Sequence, residues 1–168
     1  MPGRCRGARL GERSLVKHSL DPSDLRILRE LQSDGSLTIV ELAERVGLSQ
    51  TPCWKRVRRL EEGGFIERRV ALLSRDKLDL VLVVFVAIRT RHHDSEWLER
   101  FAQGASAMPE VVEFYRMSGE TDYLLKVVVS DIAAYDRFYK RLIEIAPLVD
   151  VSSSFAMEQI KFTTALPI

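Results

Sequence analysis

The spacing of hydrophobic residues divides this chain into two different parts. Between Leu20 and Gly63, apolar residues recur every three or four positions, which predicts amphipathic helices. From about residue 81, short valine-rich runs alternate with further helical patterns, which predicts strands mixed with helices. We therefore expect an α+β protein with a helical domain over residues 20–70, a linker over 71–80 and a βαββαβ domain over 81–168.

Three short helices are predicted in the first part from the signals at their ends. Asp21 can cap the first helix, Thr38 with Glu41 forms a capping box before the second, and Ser49 precedes the third. Gly47 supplies a left-handed residue between the second and third helices. Two helices joined by so tight a turn have the spacing of a helix-turn-helix, whose second helix enters the major groove of DNA.

The third helix carries the candidate DNA contacts. Its basic residues follow one another with no acidic residue before Glu61. The basic residues could simply form the solvent-exposed face of a surface helix. The capped second helix and the glycine turn that precede the third helix favour its insertion into the major groove. Base-edge or sugar contacts are expected from Ser49, Gln50, Thr51, Trp54 and Lys55. Phosphate contacts are expected from Arg56, Arg58 and Arg59, although one helix cannot turn all of them towards DNA.

Residues 65–73 have the composition of a short strand or hairpin, the wing of a winged helix-turn-helix. Such a wing would place Arg68 and Arg69 near the phosphate backbone. If Arg56 neutralises one phosphate, Arg56→Ala should weaken binding to every DNA sequence and reduce the salt slope by about 1.

The second part shows strand and helix signals in the order βαββαβ. Strand-like segments cover residues 81–90, 111–117, 123–129 and 149–161. One intervening helix is expected to start at Asp94, and Asp131 can cap the other. Pro109 and Pro147 stop them. The second helix carries the apolar residues Ile132, Tyr135, Phe138, Tyr139, Leu142 and Ile143. The order fits a ferredoxin-like sandwich, whose helix-free sheet face needs another layer, most simply a second copy of the chain.

Composition narrows the class of protein. With 46% apolar and 29% charged residues among 168, the chain is neither disordered throughout nor a coiled-coil rod. The 25 basic and 24 acidic residues nearly cancel, so net charge alone predicts no nucleic-acid binding. Residues 1–19 hold five basic residues against one acidic and are expected to form a disordered tail.

Short apolar runs predict no membrane span, and two cysteines are too few for a disulfide framework, so a cytoplasmic location is expected.

The element order, together with several segments, resembles the Lrp/AsnC family of transcriptional regulators from Leu20 to Ile168. These segments are ELAERVGLS at 41–49, RRLEEG at 58–63, SGETDY at 118–123 and SSF at 153–155. Longer segments resemble the cysteine-responsive branch of that family, namely TPCWKR at 51–56, HHDSEW at 92–97, FYKRL at 138–142 and SSFAMEQIK at 153–161. The basic tail departs from the family pattern and inherits nothing from it.

The resemblance implies a regulator of double-stranded DNA that dimerises through its sheet faces and assembles further, with an octamer expected. It also implies an amino-acid effector and no cofactor, with L-cysteine first and leucine or another amino acid as the alternative. The family's effector positions map onto Met117, Ser118, Gly119, Asp122 and Tyr123, with Ser152 and Ser154 as further candidates. A glycine turn can offer amides to a carboxylate, and Asp122 or Glu120 can pair with an ammonium group. The alternative for Asp122 is a structural role, in which its side chain caps the turn and binds no effector.

Other kinds of chemistry are less well supported. Cys53 could be a redox sensor, but a small residue fitting near the helix start is favoured, because no second cysteine is near. His92 and His93 are adjacent, so in a strand they would point to opposite faces, and no third metal ligand is spaced for them. Motifs for nucleophiles, phosphate loops and zinc are missing, so we expect no catalytic residue, no metal site and no enzyme. A DNA-architectural protein without an effector is the second functional class.

Overall fold

The computed structural model describes residues 20–91 and 94–168 and confirms the α+β class. Expectations about the basic tail and the histidine pair lie outside the described residues. The chain forms two compact units, one from residues 20–71 with 163–168 and the other from the described part of 72–162. None of the described helices is long and apolar enough to cross a bilayer.

Three helices form the first unit, as the end signals predict. They are α1 (Pro22–Ser33), α2 (Ile39–Val46) and α3 (Gln50–Glu62). Asp21 and Thr38 cap α1 and α2 through capping boxes, and Gly47 is left-handed with a φ of 69°. Ser49 precedes α3 as expected, but within the described chain its hydroxyl makes no capping hydrogen bond to the helix. The turn at Gly47 joins α2 to α3 in the arrangement of a helix-turn-helix.

An apolar cluster between the helices fixes the position of α3. Ile27, Leu42 and Leu60, one from each helix, are fully buried in it. The other buried members are Leu37, Ala43, Val46, Cys53 and Val57. Burying a large apolar side chain contributes about 1.5–3 kcal/mol, so the inner face of α3 is held firmly and its outer face is left for a partner.

Residues 65–73 do not form the strand that their composition predicts. Within the described chain they take part in no strand pairing, although the Phe65 amide donates to the Leu60 carbonyl at 2.9 Å and Ile66 packs on the helical core. The prediction was wrong because strand propensity is not sufficient. An extended segment needs a neighbouring strand to satisfy its N–H and C=O groups, and none of the strands in residues 20–91 and 94–168 lies beside this one.

The last six residues pack with the first unit, although the predicted second domain runs to residue 168. The Gln32 side chain donates to the Leu166 carbonyl at 3.0 Å and accepts from the Leu166 amide at 2.9 Å. Arg29 Nε donates to the Ile168 carbonyl at 2.7 Å. These hydrogen bonds hold the end of the chain against α1, so the second unit ends at residue 162 in the structure.

The second unit has the predicted order βαββαβ. Its elements are β1 (Leu82–Arg89), α4 (Ser95–Ser106), β2 (Val111–Arg116), β3 (Tyr123–Val129), α5 (Ile132–Ile145) and β4 (Asp150–Phe155). The strands form one antiparallel sheet in the order β2-β3-β1-β4, the ferredoxin-like arrangement. The last strand was expected to reach residue 161 but ends at Phe155, which pairs with Val84 near the start of β1. Beyond that point β4 has little of β1 left to pair with.

The two helices bury one face of the sheet. Tyr135, Phe138 and Leu142 form the buried stripe of α5, whereas Ile132 and Ile143 are 71% and 44% exposed. Residues in a helix turn by about 100° each, so Ile143 follows Leu142 out of the buried stripe, and Ile132 lies in the exposed first turn.

The other face of the sheet carries no helix. Pairing across the strands places Phe85 on this face between Lys126 of β3 and Ser154 of β4. Glu113 accepts from Lys126 Nζ at 2.6 Å and from the Tyr115 hydroxyl at 2.7 Å, and the hydrogen bond from Lys126 lowers the pKa of Glu113. We call this surface the open sheet face, and it combines exposed aromatic side chains with one ion pair.

Candidate DNA-binding and effector sites

The outer face of α3 presents most of the predicted DNA contacts to solvent. Trp54 is half-exposed, and the Arg58 guanidinium lies 5.8 Å from the centre of its ring, a cation–π contact. Arg58 also forms an exposed ion pair with Glu62 at 3.5 Å. The other predicted contacts that are exposed on or beside α3 are Ser49, Gln50, Thr51, Lys55 and Arg59. This surface is polar, basic and held rigid from behind by the apolar cluster.

Arg56 is turned towards α1 instead. Its Nη1 atom lies 2.5 Å from Asp21 Oδ2 and 2.8 Å from Asp24 Oδ1, while Arg59 Nη2 lies 2.5 Å from Asp24 Oδ2. The Asp24 side chain is only 1% exposed, so a buried carboxylate is held by two arginines of α3. The hydrogen bond from Arg56 lowers the pKa of Asp21 and raises that of Arg56. The predicted phosphate contact of Arg56 therefore competes with an ion pair inside the unit.

Salt titrations of DNA binding can separate these basic residues. Lys55→Ala is expected to reduce the slope of log K against log salt by about 1, because Lys55 is exposed on the outer face. Arg56→Ala, used as the comparison on the same helix, is expected to leave that slope unchanged. If only Arg56→Ala reduces the slope, the phosphate contact belongs to Arg56. If neither variant changes the slope, this face of α3 faces solvent and does not contact DNA.

The two arginines after α3 differ in their surroundings. Arg69 forms an ion pair with Glu61 at 3.3 Å, which ties the chain after the turn back to α3. Arg68 is exposed. The phosphate contacts of Arg68 and Arg69 stay a prediction. Residues 65–73 form no strand, so no wing positions these two arginines in the described structure.

Cys53 lies on the inner face of α3. It is fully buried in the apolar cluster, and this burial raises the pKa of its thiol. A thiol reacts as its thiolate, so both the inaccessibility and the raised pKa oppose the redox-sensor hypothesis. The structure favours the alternative, a small residue that fills space behind the recognition helix.

The turn between β2 and β3 brings together the predicted effector residues Met117 to Asp122. The Met117 amide donates to the Asp122 carbonyl at 2.8 Å, and the Thr90 amide donates to Asp122 Oδ2 at 2.8 Å. Gly119 has a φ of 114°, a backbone conformation that side chains strongly disfavour. Asp122 thus joins the turn to Thr90, just after β1, which differs from the capping of its own turn that the sequence offered as the alternative. Ser118 and Glu120 are exposed.

The remaining predicted effector residues lie elsewhere on the sheet. Tyr123 is buried in the aromatic cluster formed with Trp97, Phe101 and Phe114, and desolvation raises its pKa. Its side chain therefore supports the turn from within the core. Ser152 and Ser154 lie on the open sheet face, because they pair with Ala87 and Phe85 respectively. A ligand at the turn would not have all these side chains around it within a single chain.

The structure shows no cluster that could hold a metal. Among residues 20–91 and 94–168, no three His, Cys, Asp or Glu side chains come together in a group suited to a metal ion.

Comparison with known proteins finds two domain models that match successive parts of this chain. A model of winged helix-turn-helix DNA-binding domains matches residues 20–67, and the Lrp/AsnC ligand-binding domain matches residues 83–166. The chain belongs to the Lrp/AsnC family. It is a DNA-binding transcriptional regulator with an amino-acid-binding domain, and its relatives are regulators rather than enzymes. Members of the family bind amino-acid effectors rather than cofactors.

Individual relatives match along most of this Lrp/AsnC chain. It is 54% identical to the DNA-binding transcriptional activator DecR of Escherichia coli (strain K12), over 89% of this chain and 99% of that one. It is 48% identical to the glutamate uptake regulatory protein of Zymomonas mobilis, over 89% and 91%. A solved AsnC family regulator from Agrobacterium tumefaciens has a TM-score of 0.86 and 59% identity, covering 88% and 97%. A Neisseria meningitidis regulator solved with L-Met has a TM-score of 0.85 and 39% identity, covering 89% and 97%.

Proposed function

We propose that this Lrp/AsnC regulator binds paired DNA half-sites through α3 and changes that binding when L-cysteine occupies its second unit. The orientation of α3 is the observation that carries the DNA-binding half of the proposal. Its inner face is buried, whereas Gln50, Thr51 and Lys55 are exposed near its N-terminal end. The N-terminal residues of a recognition helix are those that reach base edges in the major groove.

Reading paired half-sites requires a dimer, and the open sheet face is the surface that we propose for it. Phe85 lies in the middle of this face and is 39% exposed. Tyr115 is also exposed there, beside the ion pair between Glu113 and Lys126. A sheet face with apolar side chains gains stability when a second layer covers it, and a second copy supplies one by symmetry. The family resemblance extends the proposal to an assembly of dimers, with an octamer expected.

The turn from Met117 to Asp122 is the proposed effector site. Gly119 has a φ of 114°, and a glycine turn of this kind can offer backbone amides to a carboxylate, while the exposed Glu120 can pair with an ammonium group. L-Cysteine is proposed because of the resemblance to the cysteine-responsive branch, which the 54% identity to DecR supports. Relatives named for glutamate uptake or solved with L-Met support the alternative, an effector that is another amino acid.

A thermal-shift screen over the twenty amino acids tests the effector proposal. L-Cysteine, kept reduced, is expected to raise the melting temperature, because a ligand at 100 times its Kd stabilises the folded state by about 2.7 kcal/mol. D-Cysteine and L-serine are expected to give smaller shifts. Glu120→Gln should remove the shift, whereas Glu99→Gln, the same change at an exposed position of α4, should retain it.

Other outcomes of this screen select the alternatives. A shift given only by leucine or by another amino acid would overturn L-cysteine but retain the regulator. If no amino acid changes the melting temperature or the affinity for DNA, the effector is rejected and the DNA-architectural class is favoured.

A further inference from the structure

One aromatic side chain lies among the polar residues on the outer face of α3. Trp54 is half-exposed, and among the thirteen residues of α3, all of them described, no other large apolar side chain is exposed. The apolar cluster behind the helix is formed by other residues. Gln50 lies about one helical turn before Trp54 and Arg58 about one turn after it, and both are exposed. Packing within this unit therefore does not explain the ring, which lies where a partner can contact it.

Arg58 leaves only part of this ring free. Its guanidinium lies 5.8 Å from the ring centre and is also paired with Glu62 at 3.5 Å. Side chains on a helix point back towards its N-terminus, so Arg58 reaches over Trp54 from the C-terminal side, and Trp54 in turn points towards the first turn of α3. The N-terminal end of a recognition helix is the end that contacts base edges. The ring is therefore ordered in advance, at the end of α3 that the proposed function places in the groove.

The width of the major groove decides what the ring meets there. The groove is about 12 Å wide, and an α-helix with its side chains is about 10–12 Å across, so a large ring on the inserted face lies directly against base edges. Most groups on these edges are hydrogen-bond donors or acceptors, and the carbon surface of a ring would remove water from them without replacing its hydrogen bonds. The 5-methyl group of thymine is the apolar group that the major groove presents. An aromatic ring in this place therefore favours thymine over the other bases.

We propose that Trp54 selects part of the operator sequence by contacting the 5-methyl group of one thymine in each half-site. The proposal rests on the proposed insertion of α3 into the major groove, and it adds the base that this side chain recognises. Gln50 and Thr51 can form hydrogen bonds to neighbouring base edges, whereas Trp54 supplies apolar contact. This contact neutralises no phosphate, so it adds sequence preference without adding to the salt dependence of binding.

Uracil substitution in the operator tests this contact, because deoxyuridine differs from thymidine only by the missing 5-methyl group. The operator is first selected from a pool of random duplexes with the full-length wild-type protein. Each thymine of one half-site is then replaced by uracil in turn. At one position the wild-type affinity is expected to fall by about 4-fold, the effect of burying one methyl group.

Trp54→Gln is expected to bind the selected operator about 10-fold more weakly, because it loses one methyl contact in each half-site. It should bind the thymine and uracil duplexes equally, and its salt slope should equal that of the wild type. Trp54→Phe retains an aromatic ring and should retain part of the preference for thymine. Val40→Gln, which removes an exposed apolar side chain from α2, is the matched control and should retain all of it. Because Trp54 lies outside the core, Trp54→Gln should melt at the wild-type temperature, which checks that the fold is intact.

Three results would overturn this inference. The first is a wild-type affinity that no uracil substitution changes. The second is a full preference for thymine in Trp54→Gln, which would assign the methyl contact to another residue such as Thr51. The third is a salt slope reduced by about 1 in Trp54→Gln, with the thymine preference retained, which would show that Trp54 acts only by placing Arg58 on a phosphate.

The selection step separates a failure of this inference from a failure of the proposed function. If the wild-type protein selects no preferred sequence from the pool, recognition through α3 fails and the inference fails with it. If a sequence is selected but its uracil duplexes bind as tightly as its thymine duplexes, only the role of Trp54 is rejected.

Discussion

Arg56→Met is expected to lower the free energy of unfolding by about 2 kcal/mol. Asp24 is buried, and its carboxylate accepts hydrogen bonds from Arg56 and Arg59. Removing one partner of a buried ion pair typically costs 3–5 kcal/mol. We expect less here because Arg59 and the Asp21 amide still bind the Asp24 carboxylate. Urea denaturation of the full-length protein, with far-UV circular dichroism as the signal, measures this change.

Arg58→Met is the matched control for this measurement. It removes the same charge from the same helix, but the Arg58 partner Glu62 is 70% exposed at its side chain. Exposed pairs of this kind contribute about 0–1 kcal/mol, so a change within about 0.5 kcal/mol is expected. If the two variants lose equal stability, the buried Asp24 network does not hold α3 on α1. Arg56 would then be available for DNA, as the sequence alone predicts.

Phe85→Lys is expected to convert the proposed dimer into a monomer and to weaken operator binding by about 100-fold. The new lysine would lie directly opposite Lys126 on the open sheet face, and like charges on such a pair are destabilising. Covering that face would then bury an unpaired charge. The loss of DNA affinity follows because two linked recognition helices gain about 10²–10⁴ in avidity over one.

Ile132→Lys provides the control for this substitution. Ile132 is exposed on α5, on the opposite side of the sheet, so a lysine there should leave the proposed dimer intact. Sedimentation equilibrium and a titration with operator DNA measure the two effects separately. A Phe85→Lys protein that remains dimeric would contradict the proposed dimer surface.

The backbone of both units could be predicted where local chemistry decides it. Asp21, Thr38 and Asp131 each accept a hydrogen bond from a backbone amide at the start of the helix that they were predicted to cap. Asp94 does the same where a helix was predicted to start. Gly47 adopts the left-handed turn of the helix-turn-helix, because that conformation is strained for other residues. These features depend on a few neighbouring residues, so the sequence specifies them directly.

Features that depend on distant residues could not be predicted. Residues 65–73 look like a strand, yet no strand lies beside them in the described structure. The basic run on α3 gives no sign that Arg56 faces the buried Asp24, which lies 32 residues earlier. Likewise, Tyr123 follows an exposed turn in sequence but packs against Trp97 and Phe101 of α4. The position of Asp24 is the one weak signal for this contact. It lies in the first turn of α1, where an acidic residue can either complete the helix cap or form an ion pair.

The central claim is that two copies of α3 read DNA together, and that an effector acts by changing the distance between them. That distance has to match the repeat of about 34 Å between successive major grooves on one side of the duplex. The sequence resemblance implies the pairing, and the exposed outer face of α3 and the open sheet face support it.

Binding to operators with altered half-site spacing tests this claim most directly. Insertion of about 5 base pairs between the half-sites moves one of them to the opposite side of the duplex, and we expect the affinity to fall by about 100-fold. Insertion of about 10 base pairs returns both half-sites to the same side of the duplex and should recover much of the affinity. Equal affinity for all three spacings would contradict the account, because it would show that each α3 helix binds DNA independently.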